Sequence, residues 1–416
     1  MAPEQGGMMG VQQQGEAGPM IEAGTAGFRR ITLAVAAAGF STFALLYHVQ
    51  PLLPLFAQEF GVSAAASALS LSLATGLLSV SLLLAGSLSD VWGRKPVMVA
   101  SLMASALLTL ASAGVSSWHA FLLMRALAGI TLSGLPAVAM AYLGEEMHPR
   151  AIGLAMGLYI SGTALGGMAG RLVTGVVADH VPWQVATLAI GMGGLLSGLA
   201  LARWLPASRQ FQPQPLRLGL LLRGLGAQFR DRGLRLLFLS AFLVMGSFVT
   251  VYNYIGFQLL GPPFDLSQTQ VGLIFSAYLL GMGSSAWIGN LAGRLGRGLM
   301  LGGMVLLMLL GTVLTLLPWL PAVVAGIAAL TFGFFGAHSV ASSWVGRRAG
   351  AAKAQASSLY LYFYYMGSSL AGGFGGVLFG CWHWTGVVGL VLLLLLAALI
   401  VAGHLRRMER REAITL

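Results

Sequence analysis

The chain alternates long apolar runs with short polar breaks. No Asp, Glu, Lys or Arg occurs from Phe60 to Ser89, from Pro96 to Met124, or from Gly298 to Gly346. The runs are continuously apolar rather than alternating at period two, so they predict helices and not barrel strands. A helix that crosses a bilayer needs about 20 apolar residues. The run 298–346 is too long for one such helix, and Pro318-Trp319-Leu320-Pro321 marks the turn that divides it. The run 354–405 divides likewise near Gly380-Cys381-Trp382-His383. The predicted spans are 29–56, 66–89, 96–114, 118–143, 151–178 and 183–204, then 234–259, 268–292, 298–317, 320–345, 354–379 and 383–405. Twelve spans, an even number, place both termini on one side.

Composition makes the membrane reading firm. Mean hydropathy is +0.83, and 8% of 416 residues are charged, too little polar surface for a soluble protein of this size. The pI near 10.4 invites a nucleic-acid partner, but the positions of the charges argue against one. Of 23 Lys and Arg, all but Arg125 and Arg171 fall at alternate turns or tails: Arg29 and Arg30, Arg94 and Lys95, Arg150, Arg203 through Arg235, Arg294 and Arg297, Arg347 through Lys353, and Arg406 through Arg411. The opposite turns carry none. This is the positive-inside pattern, so the charge encodes topology, with both termini cytoplasmic in a bacterial inner (plasma) membrane. The lone Cys381 offers neither a disulfide framework nor a thiolate cluster, and no metal or cofactor is expected.

Two segments break the pattern. Residues 1–28 are rich in Gly, Gln and Met and read as a disordered cytoplasmic tail. Residues 206–232, with Pro206, Pro213, Pro215 and many arginines, read as a basic cytoplasmic linker between six-helix halves at 29–205 and 233–405, with 406–416 a second tail. Part of 216–230 has the makings of an amphipathic helix lying on anionic headgroups. The halves echo one another. Gly86-Ser87-Leu88-Ser89-Asp90-Val91-Trp92-Gly93-Arg94 recurs as Gly289-Asn290-Leu291-Ala292-Gly293-Arg294-Leu295-Gly296-Arg297, with Gly293 in place of the acid.

The first copy, extended through Lys95, resembles the signature loop between the second and third helices of the major facilitator superfamily (MFS), with Val91 where Arg is usual. The resemblance implies an all-α polytopic fold of twelve helices in two pseudo-symmetric halves, alternating access between them, and a monomer. It also implies a conformational latch formed by Gly86, Asp90, Gly93, Arg94 and Lys95, in which Asp90 attracts the N-terminal end of the helix near 354. Arg125-Ala-Leu-Ala-Gly129 resembles the R-x-x-x-G feature of the drug/proton-antiporter branch, and Ser161 to Arg171, Asn253 to Gly256 and Gln355 to Tyr362 resemble the YnfM-like branch of bacterial efflux permeases. The glycines from Gly153 to Gly170 suggest a fifth helix sliding against the eighth, at Gly281-Met282-Gly283-Ser284-Ser285.

All twelve acids fall in tails, turns or helix ends, while Arg125 and Arg171 lie inside spans. A cavity with that balance favours anionic, zwitterionic or neutral small molecules over cations. Arg125 has two readings: a coupling or substrate contact, or a structural arginine bonded to first-helix carbonyls or Gln50. Proton carriers must come from His48 or His338, each otherwise a satisfied hydrogen-bonding residue. Tyr47, Asn253, Tyr254, His338, Tyr360 and Tyr364 suit a cavity lining; Tyr360 and Tyr364 share one helix face, Tyr362 and Tyr365 roughly another. These features point to a secondary active transporter, with proton-coupled efflux of small organic solutes first and uptake or facilitated passage of an organic anion second. A non-transporting membrane sensor is the rival of another class. The sequence holds no Walker loop and no H-E-x-x-H, which speaks against ATP as energy source and against an enzyme.

Overall fold

The computed structural model describes residues 20–209, 211, 213–215 and 218–414. Helix α1 (Ala26–Glu59) starts where the Thr25 hydroxyl accepts the N–H of Phe28, and it breaks into a short 3₁₀ turn at Gln50–Leu52. Pro51 and Pro54 explain the break, since each removes an N–H that the helix would use. Helices α2 (Ala64–Trp92), α3 (Arg94–Ser112), α4 (Trp118–Glu146), α5 (Ile152–Ala178) and α6 (Trp183–Trp204) complete a first set. A short α7 (Leu218–Gln228) follows, then α8 (Arg232–Leu260), α9 (Gln268–Leu295), α10 (Arg297–Leu314) and α11 (Leu320–Arg348). The last helical run, Lys353–Ile414, contains non-helical backbone at Trp382 and His383. That turn, with His383 at φ 49°, separates α12 (353–381) from α13 (384–414). Every predicted span finds its helix, with ends moved by three residues or fewer, except that the last helix runs nine residues past 405, to Ile414.

Gly93 and Gly296 occupy equivalent turns, between α2 and α3 and between α9 and α10, at φ 92° and 96°. Both values lie where a Cβ is strained, so the glycine repeat seen in the sequence is a repeat of backbone shape. Other glycines serve close approach. A Cβ on Gly162, Gly166 or Gly170 would run into the α1 backbone at Ala36, Phe40 or Ala44, and one on Gly129 into Ala74 of α2. Gly162, Gly166 and Gly170 of the stripe thus face α1, while α5 meets α9 further along, at Gly175 and Gly272. On α9 Gly281 meets Phe335 while the Ser284 hydroxyl donates to the Phe332 carbonyl, both on α11. Small residues at every fourth position are spent on tight packing inside each set.

The N-terminal segment also departs from expectation. Residues 20–28 are ordered: Ile21 N–H donates to the Glu146 carbonyl and His148 N–H to the Ile21 carbonyl, each at 3.0 Å, which straps the segment across the end of α4. Residues 1–19 lie outside the described residues. Within the linker, α7 buries Leu225 and Gln228 but leaves Leu220 and Leu222 about two-thirds exposed, an amphipathic helix in the region where one was expected.

The Lys- and Arg-rich turns define a basic end of the molecule and the opposite turns a far end. Among the described residues, the hydrogen bonds joining α1–α6 to α8–α13 all lie toward the far end. Gln50 Nε2 donates to Asn253 Oδ1 (2.7 Å), Ser369 Oγ to the Ser72 carbonyl (2.7 Å), and Thr269 N–H to Asp179 Oδ2 (3.2 Å). Gly175 and Gly272 pack backbone to backbone there, as do Gly376 and Ala65. Among the described residues, no hydrogen bond joins the two sets at the basic end. The far end is closed and the basic end is parted.

Candidate transport site

The break in α1 creates the first element of the site. Carbonyls of Leu45 and Leu46 lie beside it, and Arg125 takes them up: Nη1 donates to Leu45 O (3.0 Å), Nη2 to Leu46 O (2.6 Å) and Nε to Ser70 O of α2 (2.9 Å). The residue is 1% exposed. Gly129, one turn on, lets α4 approach α2 closely enough for this clamp. The first-helix carbonyls and Ser70 O, and not Gln50, are the partners of Arg125, the bonding expected of a structural arginine. His48 shares the Leu45 carbonyl through Nδ1 (2.9 Å), is fully buried, and leaves its Nε2 without a partner.

Arg171 sits differently, where the two sets of helices meet. Its Nε donates to Gln50 Oε1 (2.6 Å) and its Nη1 to the Gly167 carbonyl (2.6 Å). The guanidinium lies 4.1 Å from the ring centre of Tyr47, 4.9 Å from Tyr278 and 5.4 Å from Phe275. Gln50 passes the contact on to Asn253 of α8. A positive charge thus spans the junction through one amide-to-amide bond and a wall of aromatic faces, which attract a cation electrostatically. Asn253 Nδ2 and Ser72 Oγ are buried without partners near Gly372 of α12, so this crevice retains unused donor capacity.

An aromatic layer continues from the arginine toward the basic end. Tyr364 lies 4.8 Å and Tyr360 5.6 Å from the His338 ring, and the Tyr360 hydroxyl is 3.0 Å from His338 Nδ1. Tyr360 and Tyr364 share a face, as expected, and it is the face toward His338. Tyr365 is 3% exposed and meets Tyr364 at 5.1 Å, whereas Tyr362 meets Phe363 at 5.3 Å. Tyr254 leaves the lining altogether. Its hydroxyl donates to the Gly372 carbonyl and its ring stacks on Phe379, so it fastens α8 to α12. Tyr278, 4.9 Å from the Arg171 guanidinium, is the member of the layer that sequence reasoning missed, whereas the Tyr159 ring lies against Gly39 of α1.

Residues 32–261 match the Major Facilitator Superfamily description. The chain is 49% identical to the MFS-type transporter YybF of Bacillus subtilis over 93% of its length and 96% of the relative's. It is equally similar, at 49% over 93% of each, to the inner membrane transport protein YnfM of Escherichia coli. The chain belongs to the major facilitator superfamily. Its fold matches a bacterial homologue of the lysosomal transporter Spinster in an inward-facing, unoccupied conformation, with a TM-score of 0.76 at 14% identity over 94% of this chain and 99% of that one.

In this MFS transporter the signature loop is an ion-pair knot. Arg94 bridges Asp90 (2.6 Å) and Glu145 at the end of α4 (2.7 Å), and its guanidinium faces the Phe211 ring of the linker at 5.7 Å. Gly86 lies on the α2 face with open space beside it, and Lys95 is half-buried at the rim of a basic-end cavity. Asp90 therefore pairs within its own loop and not with the start of α12, which corrects the expected partner. The physical reason is that the basic end is parted, so a contact reaching across it is unmade. The second loop copy lacks the acid, and Glu409 of α13 instead accepts the N–H groups of Arg297 and Gly298 at the start of α10. No group of His, Cys, Asp and Glu suited to a metal occurs among the described residues.

Proposed function

We propose that the protein is a secondary active transporter that exports small organic solutes across the bacterial inner membrane in exchange for protons. The substrates are anionic or neutral. The halves rock about the Arg171–Gln50–Asn253 contact, which closes the periplasmic side in the conformation described, with both termini cytoplasmic. The observation that carries the reading is the isolated guanidinium of Arg171 among tyrosine faces at the junction of the halves. The acids of the chain stand at helix ends instead: Glu59 accepts from Trp183 Nε1 (2.6 Å), Glu145 pairs with Arg94, and Asp231 with Arg348 (2.6 Å). A site so built attracts an oxyanion and offers aromatic surface to an organic body. His338, hydrogen-bonded to Tyr360 beside that layer, is the proton carrier in this reading. Run in the opposite direction, the same site would take up an organic anion.

The test uses inside-out vesicles energised and loaded with a pH-sensitive dye, to which organic anions, neutral solutes and lipophilic cations are added in turn. Dye recovery with anions or neutral solutes, abolished by Arg171→Ala, is the expected result. Recovery with a permanent cation alone overturns the charge argument, and no recovery with any compound removes the proton-exchange reading.

A further inference from the structure

Most basic residues of the basic end project singly from turns, but four converge on one cavity. It has a volume of about 600 Å³ and lies between the start of α1, the end of α6 and the start of α3, roofed by the ordered N-terminal strap. Arg30, Lys95, Arg203 and Arg209 line it, and Glu22 is the single carboxylate of the lining. Arg94 and Arg348 form ion pairs with carboxylates, and among the described residues no such pair within 4.0 Å joins a carboxylate to Arg30, Lys95, Arg203 or Arg209. Gathering like charges costs free energy unless an anion compensates them, and the lining offers one carboxylate, Glu22, to four cations.

The walls are built, not incidental. Arg30 Nη2 donates to the Arg203 carbonyl (2.9 Å), which ties α1 to the end of α6. The main-chain N–H of Arg209 is held by Glu146, the residue whose carbonyl also holds Ile21. Trp204 lines the cavity and is 46% exposed at the helix end, the depth at which indole rings favour the membrane–water interface. The volume falls within the range of about 300–1,000 Å³ common for small-ligand sites.

We propose that this cavity binds a phosphate oxyanion, supplied by the headgroup of an anionic phospholipid from the cytoplasmic leaflet. The arginines clamp the phosphate oxygens, Lys95 adds a point charge, and Trp204 lies along the glycerol and upper acyl region. The site is separate from the junction of the halves and does not depend on what the protein transports. It joins the N-terminal strap, α1, α6 and the signature loop through one ligand.

Native mass spectrometry of the purified full-length protein, titrated with phosphatidylglycerol and in parallel with phosphatidylcholine, tests this. The expected result is one tightly retained phosphatidylglycerol and no matching phosphatidylcholine. Binding should weaken about tenfold or more in Arg30→Gln/Arg203→Gln, and also in Arg209→Gln, a linker residue whose loss spares helix packing. Arg406→Gln/Arg407→Gln, which removes the same charge from the basic end outside the cavity, should bind as the wild type does. Competition by inorganic phosphate separates the sources: displacement of the lipid identifies a soluble phosphate as an occupant of the same oxyanion site, and retention identifies the lipid. Equal weakening in the cavity and control variants, equal retention of both lipids, or no change in any variant overturns the proposal.

Discussion

Two buried arginines, chemically identical and both 1% exposed, are given opposite tasks by their surroundings. Arg125 spends its donors on three backbone carbonyls that hold a broken helix to its neighbours. Arg125→Leu should cost on the order of 3 kcal/mol or more, because charged hydrogen bonds are lost together with their buried acceptors' partners; thermal unfolding in detergent would show it. Arg171 bonds one amide and one carbonyl and otherwise faces rings. Arg171→Lys should leave the melting temperature nearly unchanged yet lower transport at least tenfold, because an ammonium cannot stack and fork at once; uptake into proteoliposomes measures this. A similar melting loss in both variants would remove the distinction. The sequence offered first-helix carbonyls as one of two readings of Arg125 but did not place the rings around Arg171, since position within a span does not say what stands opposite.

At the surface, Asp231 caps α8 and pairs with Arg348. Partial burial pushes its carboxyl up, but the Arg348 ion pair and the Leu234 N–H outweigh this and hold it below the usual carboxylate range. A lowered folded value means the contribution is complete above the ordinary Asp range, near about 3.9, and is lost as pH falls through the lowered value. The stability gap between wild type and Asp231→Asn should therefore be constant near neutrality and shrink under acid. A gap independent of pH in a melting series would contradict the pairing.

At the scale of elements, the fold was readable wherever backbone shape limits residue choice. Gly93 and Gly296 announced matching turns because a positive φ leaves little choice, and Trp382 and His383 fall within the stretch where run length required a turn. The α5 stripe was read as facing α9, but Gly162, Gly166 and Gly170 face α1, because periodicity names a face and not its partner. Gly166→Ala should destabilise by about 1–3 kcal/mol, since its Cβ meets the Phe40 carbonyl. Gly157→Ala, with open space beside it, should be neutral in the same melting assay. The aromatic layer was legible only in part for a related reason: Tyr47, Tyr278 and Tyr364 come from three helices that only the tertiary fold brings together.

For the whole molecule, closure at the far end rests on few points, and the Gly175–Gly272 contact is the tightest of them between α5 and α9. Gly175→Leu should hold that end open. A cysteine at Asn253, in a Cys381→Ser background because the native thiol is exposed, should then react with a membrane-impermeant maleimide added from the periplasmic side several-fold faster than without the wedge. Unchanged labelling would mean that the halves separate elsewhere.

The lone guanidinium at the junction also has an electrical consequence. Whichever end is shut carries most of the voltage drop, so when the gate changes sides the field moves past Arg171 even if the residue itself barely moves. With the orientation proposed above, the charge shares the potential of the cytoplasm in the conformation described, and that of the periplasm with the opposite gate shut. Moving one elementary charge between these is worth about 2.3 kcal/mol per 100 mV. A membrane negative inside therefore draws the empty carrier toward the cytoplasm-open form, whereas a bound monoanion cancels the charge and frees the loaded carrier from the voltage. Only the empty half of the cycle should then respond when the membrane is clamped.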